Sequence, residues 1–166
     1  LIQHKSEKER CIVVGDREAD IFELMHGCEE TGLEFIFRST HDRAVGKKKK
    51  RWGPEKGTQE YLLDFVEKQP IFGQIEIEIE DHKIQKKRVA KLELRFAPVT
   101  FPAPWRLDFG IDGPSLKNKN RPEGSKPKVE AYVVEVKESN PPKGSQRVHW
   151  RLLTSIPVLM IEAAKQ

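Results

Sequence analysis

Cysteine, methionine and tyrosine are scarce in this chain, at two residues each among 166, and no long apolar run is present. No segment approaches the roughly 20 apolar residues that a membrane-spanning helix needs. No charged leader followed by a short apolar core and a small-residue cleavage site is evident. The reading is a soluble protein acting in the cytoplasm, with no membrane partner. Cys11 and Cys28 fall on an apolar run and on the helical pattern after it, so both are expected to be small buried apolar residues, with a disulfide left to geometry. His4, His26, His41, His82 and His149 are scattered without ligand spacing, and no Cys and His set suggests zinc. A glycine-rich phosphate loop, a serine-nucleophile motif and an internal repeat are all missing.

What is abundant is charge. Lysine and arginine number 30 against 26 acidic residues, for a net charge of +4, and 34% charged with 37% hydrophobic residues indicates a modest core. The length suits one domain, or one domain with an inserted subdomain. The basic residues cluster: Lys47, Lys48, Lys49, Lys50 and Arg51 precede Trp52, and Lys86, Lys87 and Arg88 fall in an expected turn. Such clusters can neutralise nucleic-acid phosphates with little sequence preference, or can simply form a solvated, flexible loop.

Local patterns supply the architecture. Cys11 to Val14 is a β-branched run closed by Gly15, which predicts a short strand buried on both faces. From Asp20 the period becomes helical, with Ile21, Leu24, Met25 and Cys28 on one stripe, Asp20 as N-cap and Glu23 as its capping-box partner. The helix should stop near Thr31 and Gly32, and 33–38 (LEFIFR) reads as the next strand. Ile75, Ile77 and Ile79 alternate with Glu76, Glu78 and Glu80, and Leu92, Leu94 and Phe96 with Glu93 and Arg95, so an antiparallel hairpin with one buried face is expected. A proline- and glycine-rich stretch, 102–127, reads as an extended loop. Segments 129–136 and 150–154 add two strands to a sheet of four or five, mostly antiparallel. Residues 1–10 read as the polar tail of an element leading into the first strand, and 157–166 (PVLMIEAAKQ) as the start of a helix.

Asp16 stands at the carboxyl end of the first strand, where open α/β sheets collect functional groups. A strand-end aspartate can also merely cap a turn or pair with Arg17 or Arg38. The wording around it is more specific. VGDREADIFEL (14–24) resembles the segment bearing the second catalytic aspartate of DDE transposases of the insertion-sequence-four type. FIFRST (35–40) is similar to that family's next strand and its arginine, and NPPKG (140–144) with HWRLLTSIPV (149–158) to its late strand. Three ordered blocks thus carry the resemblance.

The resemblance implies a partial ribonuclease H-like core within a mixed α/β (α+β) fold. Residues 1–40 would carry the second catalytic Asp, 41–148 would form a large, mostly antiparallel β-rich insertion, and 149–166 would return toward the helix bearing the catalytic Glu. It implies metal-dependent cleavage and strand transfer at transposon ends, with three carboxylates holding two Mg²⁺ or Mn²⁺ ions. Asp16 would be the one metal-ligating catalytic residue here. The other two carboxylates are expected before Leu1 and after Gln166, so the segment by itself is expected neither to cut nor to join DNA and to lack its metals. Asp20 is assigned to capping or to support of the metal site. DNA contacts are expected from Arg38, from the 47–51 basic run, and from Trp150 as a stacking platform for an extruded base. Each has a plainer alternative: an ion pair of Arg38 with Asp16 or Asp20, and a core position for Trp150. The partners implied are transposon-end and target DNA and a second copy of the protein in that complex, at the bacterial nucleoid. A non-catalytic DNA-binding module from a decayed element, or a ribonuclease H-like host nuclease, are the alternative functions.

Overall fold

The computed structural model describes residues 10–46, 59–81, 86–104 and 127–160. Six strands form one sheet: β1 (Ile12–Gly15), β2 (Glu34–Arg38), β3 (Gly73–Asp81), β4 (Lys86–Pro102), β5 (Lys128–Glu138) and β6 (His149–Thr154). Their order across the sheet is β1-β2-β6-β5-β4-β3, and only the β1–β2 pair is parallel. Two α-helices, α1 (Phe22–Thr31) and α2 (Leu62–Glu67), accompany them among the described residues. The chain is therefore mixed α/β, with a mostly antiparallel sheet and few helices.

Alternation decides which side chains enter the core. In β2, Phe35 and Phe37 are fully buried and stacked with ring centroids 4.9 Å apart, while Glu34, Ile36 and Arg38 turn to the opposite face. Burying one such ring contributes roughly 1.5–3 kcal/mol. The main core joins these rings to Phe22 and Met25 of α1, Leu62 and Val66 of α2, Phe101 of β4, Val129 and Val133 of β5, and Leu153 of β6. Both helices thus cover one face. A smaller cluster of Leu94, Phe96, Val134 and Val158 lies on the other. Because β2 pairs with β6 and β6 with β5, the 41–148 segment continues the same sheet and shares the main core with residues 22–37.

Several local expectations are corrected. β1 is not buried on both faces: Val13 packs on the core, but Ile12 is 44% and Val14 74% exposed, because helices cover one face alone and β2 is its sole paired neighbour among the described residues. Cys11, just ahead of it, is exposed; Cys28 is buried and burial raises its thiol pKa, and both are free thiols. Lys86, Lys87 and Arg88 are not a turn but the start of β4, opposite Asp81, Glu80 and Ile79. Helix α2 is a helix inside a stretch read as β-rich. The 157–160 segment is not helical. The end of α1 is as expected, with Gly32 in the left-handed region (φ 71°) and the Leu33 amide donating to the Cys28 carbonyl at 2.9 Å. No helix among the described residues is long and apolar enough to cross a membrane.

Candidate functional site

The site is built on the face that the helices leave open. Parallel pairing sets Gly15 opposite Phe37, so the next residues on the two strands, Asp16 and Arg38, emerge side by side. Their side chains pair at 3.6 Å, with Asp16 73% exposed. Across the β2–β6 seam Arg38 lies opposite Leu152, and Trp150, two residues earlier, points to the same face. The sheet curls far enough that β3 also reaches this region. An open cleft of about 330 Å³ results, lined by Arg17, Arg38, Ile79, Glu80, Arg147 and Trp150, with Gln146, Val148 and His149 at its rim. Trp150 is 41% exposed, so its ring is open to a ligand as well as to Val136 across the strand pair.

Tight packing places Asp16. A Cβ on Gly15 would sit 2.3 Å from Cβ of Ala19 and 3.1 Å from the Phe37 ring, so only glycine lets the chain turn this closely against β2. The turn that follows is a single 3₁₀ turn, Arg17–Ala19, in which the Ala19 amide donates to the Asp16 carbonyl at 2.8 Å. Asp16 flanks that turn without capping it through its side chain.

Asp20 does something different from the expected cap. Helix α1 starts at Phe22 with Ile21 as N-cap and no side-chain cap. The Asp20 carboxylate instead turns inward, where it accepts the Thr40 amide at 2.6 Å, the His41 amide at 2.8 Å and the Arg43 guanidinium at 2.5 Å and 2.9 Å. Burial pushes its pKa up, but the two amides and the Arg43 charge outweigh that, and the net shift is downward. The competing principle is plain: four donors in a buried pocket outbid one exposed helix end. Asp20 therefore clamps the 40–43 loop and neither caps α1 nor touches Asp16's surroundings.

A second clamp carries the cleft's other wall. The Arg88 guanidinium forks onto the buried Glu138 carboxylate and also donates to the Gln146 carbonyl at 3.1 Å, while the Val148 amide donates to Glu138 at 3.1 Å. That arginine lowers the Glu138 pKa against the opposing effect of burial. Through these bonds the 139–148 connection is tied to the sheet, and Arg147 is held at the cleft. Arg88 is thereby committed to Glu138 and is no phosphate contact.

Of the sequence-derived candidates, Asp16, Arg38 and Trp150 come together, and Lys47 to Arg51 lie outside the described residues. Arg17, Arg147 and His149 were not singled out, although they line the same cleft. Arg147 and His149 flank Trp150 closely in sequence, which was the one signal available. Among the described residues no group of three or more His, Cys, Asp or Glu side chains could hold a metal ion, so Asp16 offers a single carboxylate. What the cleft can do with its own groups is bind an anion beside an aromatic face. No protein-family model matches the chain.

Proposed function

We propose that this cleft binds DNA, and that the chain serves as the DNA-contacting part of a phosphoryl-transfer enzyme resembling the DDE transposases, with Asp16 as one ligand of its Mg²⁺ or Mn²⁺ ions. The observation that carries the reading is convergence. Three segments distant in sequence bring Arg17, Arg38, Arg147 and Trp150 to one cleft with Asp16 at its edge. Guanidiniums suit phosphate by their planar fork and permanent charge, and an indole face suits a base of any identity. Hard carboxylate oxygen suits these cations, but one carboxylate does not make a two-metal site, and no reaction step follows from these residues alone. That same shortage favours a second reading, in which the face binds DNA without chemistry.

The test is fluorescence anisotropy with a labelled single-stranded DNA at 50 mM and 200 mM salt. The triple variant Arg17→Ala, Arg38→Ala, Arg147→Ala should lose at least about tenfold in affinity and flatten the salt dependence by about one unit of slope per phosphate contact removed. Trp150→Ala should cost about 1–3 kcal/mol with the salt slope kept. Unchanged binding in both would sink the proposal.

A further inference from the structure

The residues of β6, HWRLLT, do not by themselves say which side chains face the helices. Leu152 and Leu153 are adjacent, one on each face, so the core would accept either. A slip of one residue exchanges every side chain between the two faces of a sheet. The observed register puts Leu153 in the main core and Trp150 on the open face with Arg38. His149 and Arg151, on either side of Trp150, therefore turn to the helix-covered face.

What meets them there is a row of charge. Glu135 of β5 is 1% exposed and continues a face on which Val129, Ala131 and Val133 are apolar. It is the direct register partner of Arg95 on β4 and of Arg151 on β6, so the signs run positive, negative, positive across three strands. Its Oε2 is 4.0 Å from Nη1 of Arg95, and its Oε1 is 3.8 Å from Nε of Arg151 and 2.7 Å from Nε2 of His149. A carboxylate only accepts, so the imidazole donates to it. Beyond the row Lys137, the register partner of His149, donates to Glu67 of α2 at 3.0 Å. Burying a carboxylate on an apolar face is costly, and the best-attested use of such a group is to specify pairing.

We infer that Glu135 is a positioning residue of the cleft: by engaging Arg151 and His149 it fixes the register of β6 and so sends Trp150 to the open face. The use made of Trp150 rests on the DNA-binding reading. The slip that keeps a leucine in the core moves Leu152 there and brings Trp150 opposite Glu135. Arg151 would then leave for the open face, and the buried carboxylate would keep Arg95 as its one cross-strand cation. At the other end of β6 the Thr154 hydroxyl donates to the Phe35 carbonyl at 2.7 Å, and Glu135 holds the half that carries Trp150. A leucine at position 135 removes the discrimination, because the face then accepts an indole as readily as a guanidinium.

The experiment is fluorine-19 spectroscopy of protein labelled with 5-fluorotryptophan, the Trp150 signal being assigned by its loss in Trp150→Phe, together with anisotropy on a fluorescein-labelled thymidine 12-mer at 50 mM salt. Wild type should give a single Trp150 resonance that shifts when the 12-mer is added. Glu135→Leu should split that resonance in two, with one signal responding to DNA. Its apparent affinity should fall in proportion to the population left in the responsive signal, about twofold if half is lost. Glu135→Gln keeps an acceptor for His149 and should restore the single resonance. Should Glu135→Leu fail to fold, Arg151→Leu tests the row from the opposite strand with the same readouts. A folded variant that changes in stability but keeps one resonance and the wild-type affinity makes Glu135 scaffold alone and overturns this inference. A split resonance in Glu135→Leu with no DNA binding by wild type supports the register assignment and overturns the DNA reading.

Discussion

Asp16 and Asp20 lie four residues apart, on either side of one 3₁₀ turn, and the fold treats them in opposite ways. Asp20 is sealed, with its side chain wholly inaccessible and its oxygens saturated by two backbone amides and a guanidinium. Asp16 is 73% exposed and meets one arginine at 3.6 Å, a distance at which an exposed pair is worth about 0–1 kcal/mol. A carboxylate needed for structure is one whose every lone pair is engaged. A carboxylate left under-engaged at a strand end, beside cations and an aromatic ring, is available for a ligand. The comparison separates scaffold from candidate site within a single short motif.

The largest effect should come from breaking the sealed side. Asp20→Asn leaves the half-buried Arg43 without its counter-charge, and removing one partner of a pair whose carboxylate is buried costs up to about 3–5 kcal/mol, on the order of 10 °C in Tm. The pH dependence has a definite sign. Asp20 has a lowered pKa in the folded chain, so its contribution is fully present above the ordinary carboxylate value and is lost as pH falls through the folded value. The gap between wild type and variant, measured by thermal melts, should hold from pH 7 to about 5 and narrow below about pH 4. A gap that stays constant into strong acid would mean that the pair's charge is not what stabilises the loop.

An intermediate effect is expected at the turn's hinge. Gly15→Ala would place a methyl 2.3 Å from Cβ of Ala19, which forces the 3₁₀ turn away from β2. Overpacking of this kind costs about 1–3 kcal/mol, and the double variant with Ala19→Gly should recover a large part of it. Failure of that rescue in denaturant melts would show that the Phe37 contact, at 3.1 Å, governs the site instead.

How much of this was legible in the sequence follows from the range of the interactions. The strands 34–38, 73–81, 128–138 and 149–154 and the stop of α1 at Gly32 were readable, because alternation and a glycine C-cap act over a few residues. The role of Asp20 was not, since its partners Thr40, His41 and Arg43 lie beyond the helix that a capping box concerns. The exposure of Cys11 and Val14 depends on which faces the helices cover, which periodicity in a four-residue strand does not encode. At the candidate site, Asp16, Arg38 and Trp150 were picked out by wording. Arg147 needed the Arg88–Glu138 clamp to bring it to the cleft, and Arg88 itself was misassigned because its partner is 50 residues away. The burial of Glu135, which follows Val129, Ala131 and Val133 on the helix-covered face and meets His149 and Arg151 on β6, was likewise not readable, because strand pairing between residues 14 and 16 apart decides it.

The smallest effect on stability, and the sharpest on the comparison, belongs to Asp16→Asn. An exposed substitution of this kind should stay within about 0.5 kcal/mol, or roughly 1–2 °C in Tm. Binding should move in the opposite sense to a damaged site: the variant removes a negative charge beside Arg38, so metal-free affinity for DNA should be unchanged or tighter by up to about threefold, most visibly at low salt. An amide is a poor ligand for Mg²⁺ or Mn²⁺, so any increment that these ions add to DNA binding should disappear in the variant while the metal-free affinity is kept. If Asp16→Asn instead destabilises the chain as Asp20→Asn does, the 3.6 Å pair with Arg38 is a structural contact and Asp16 belongs with the scaffold.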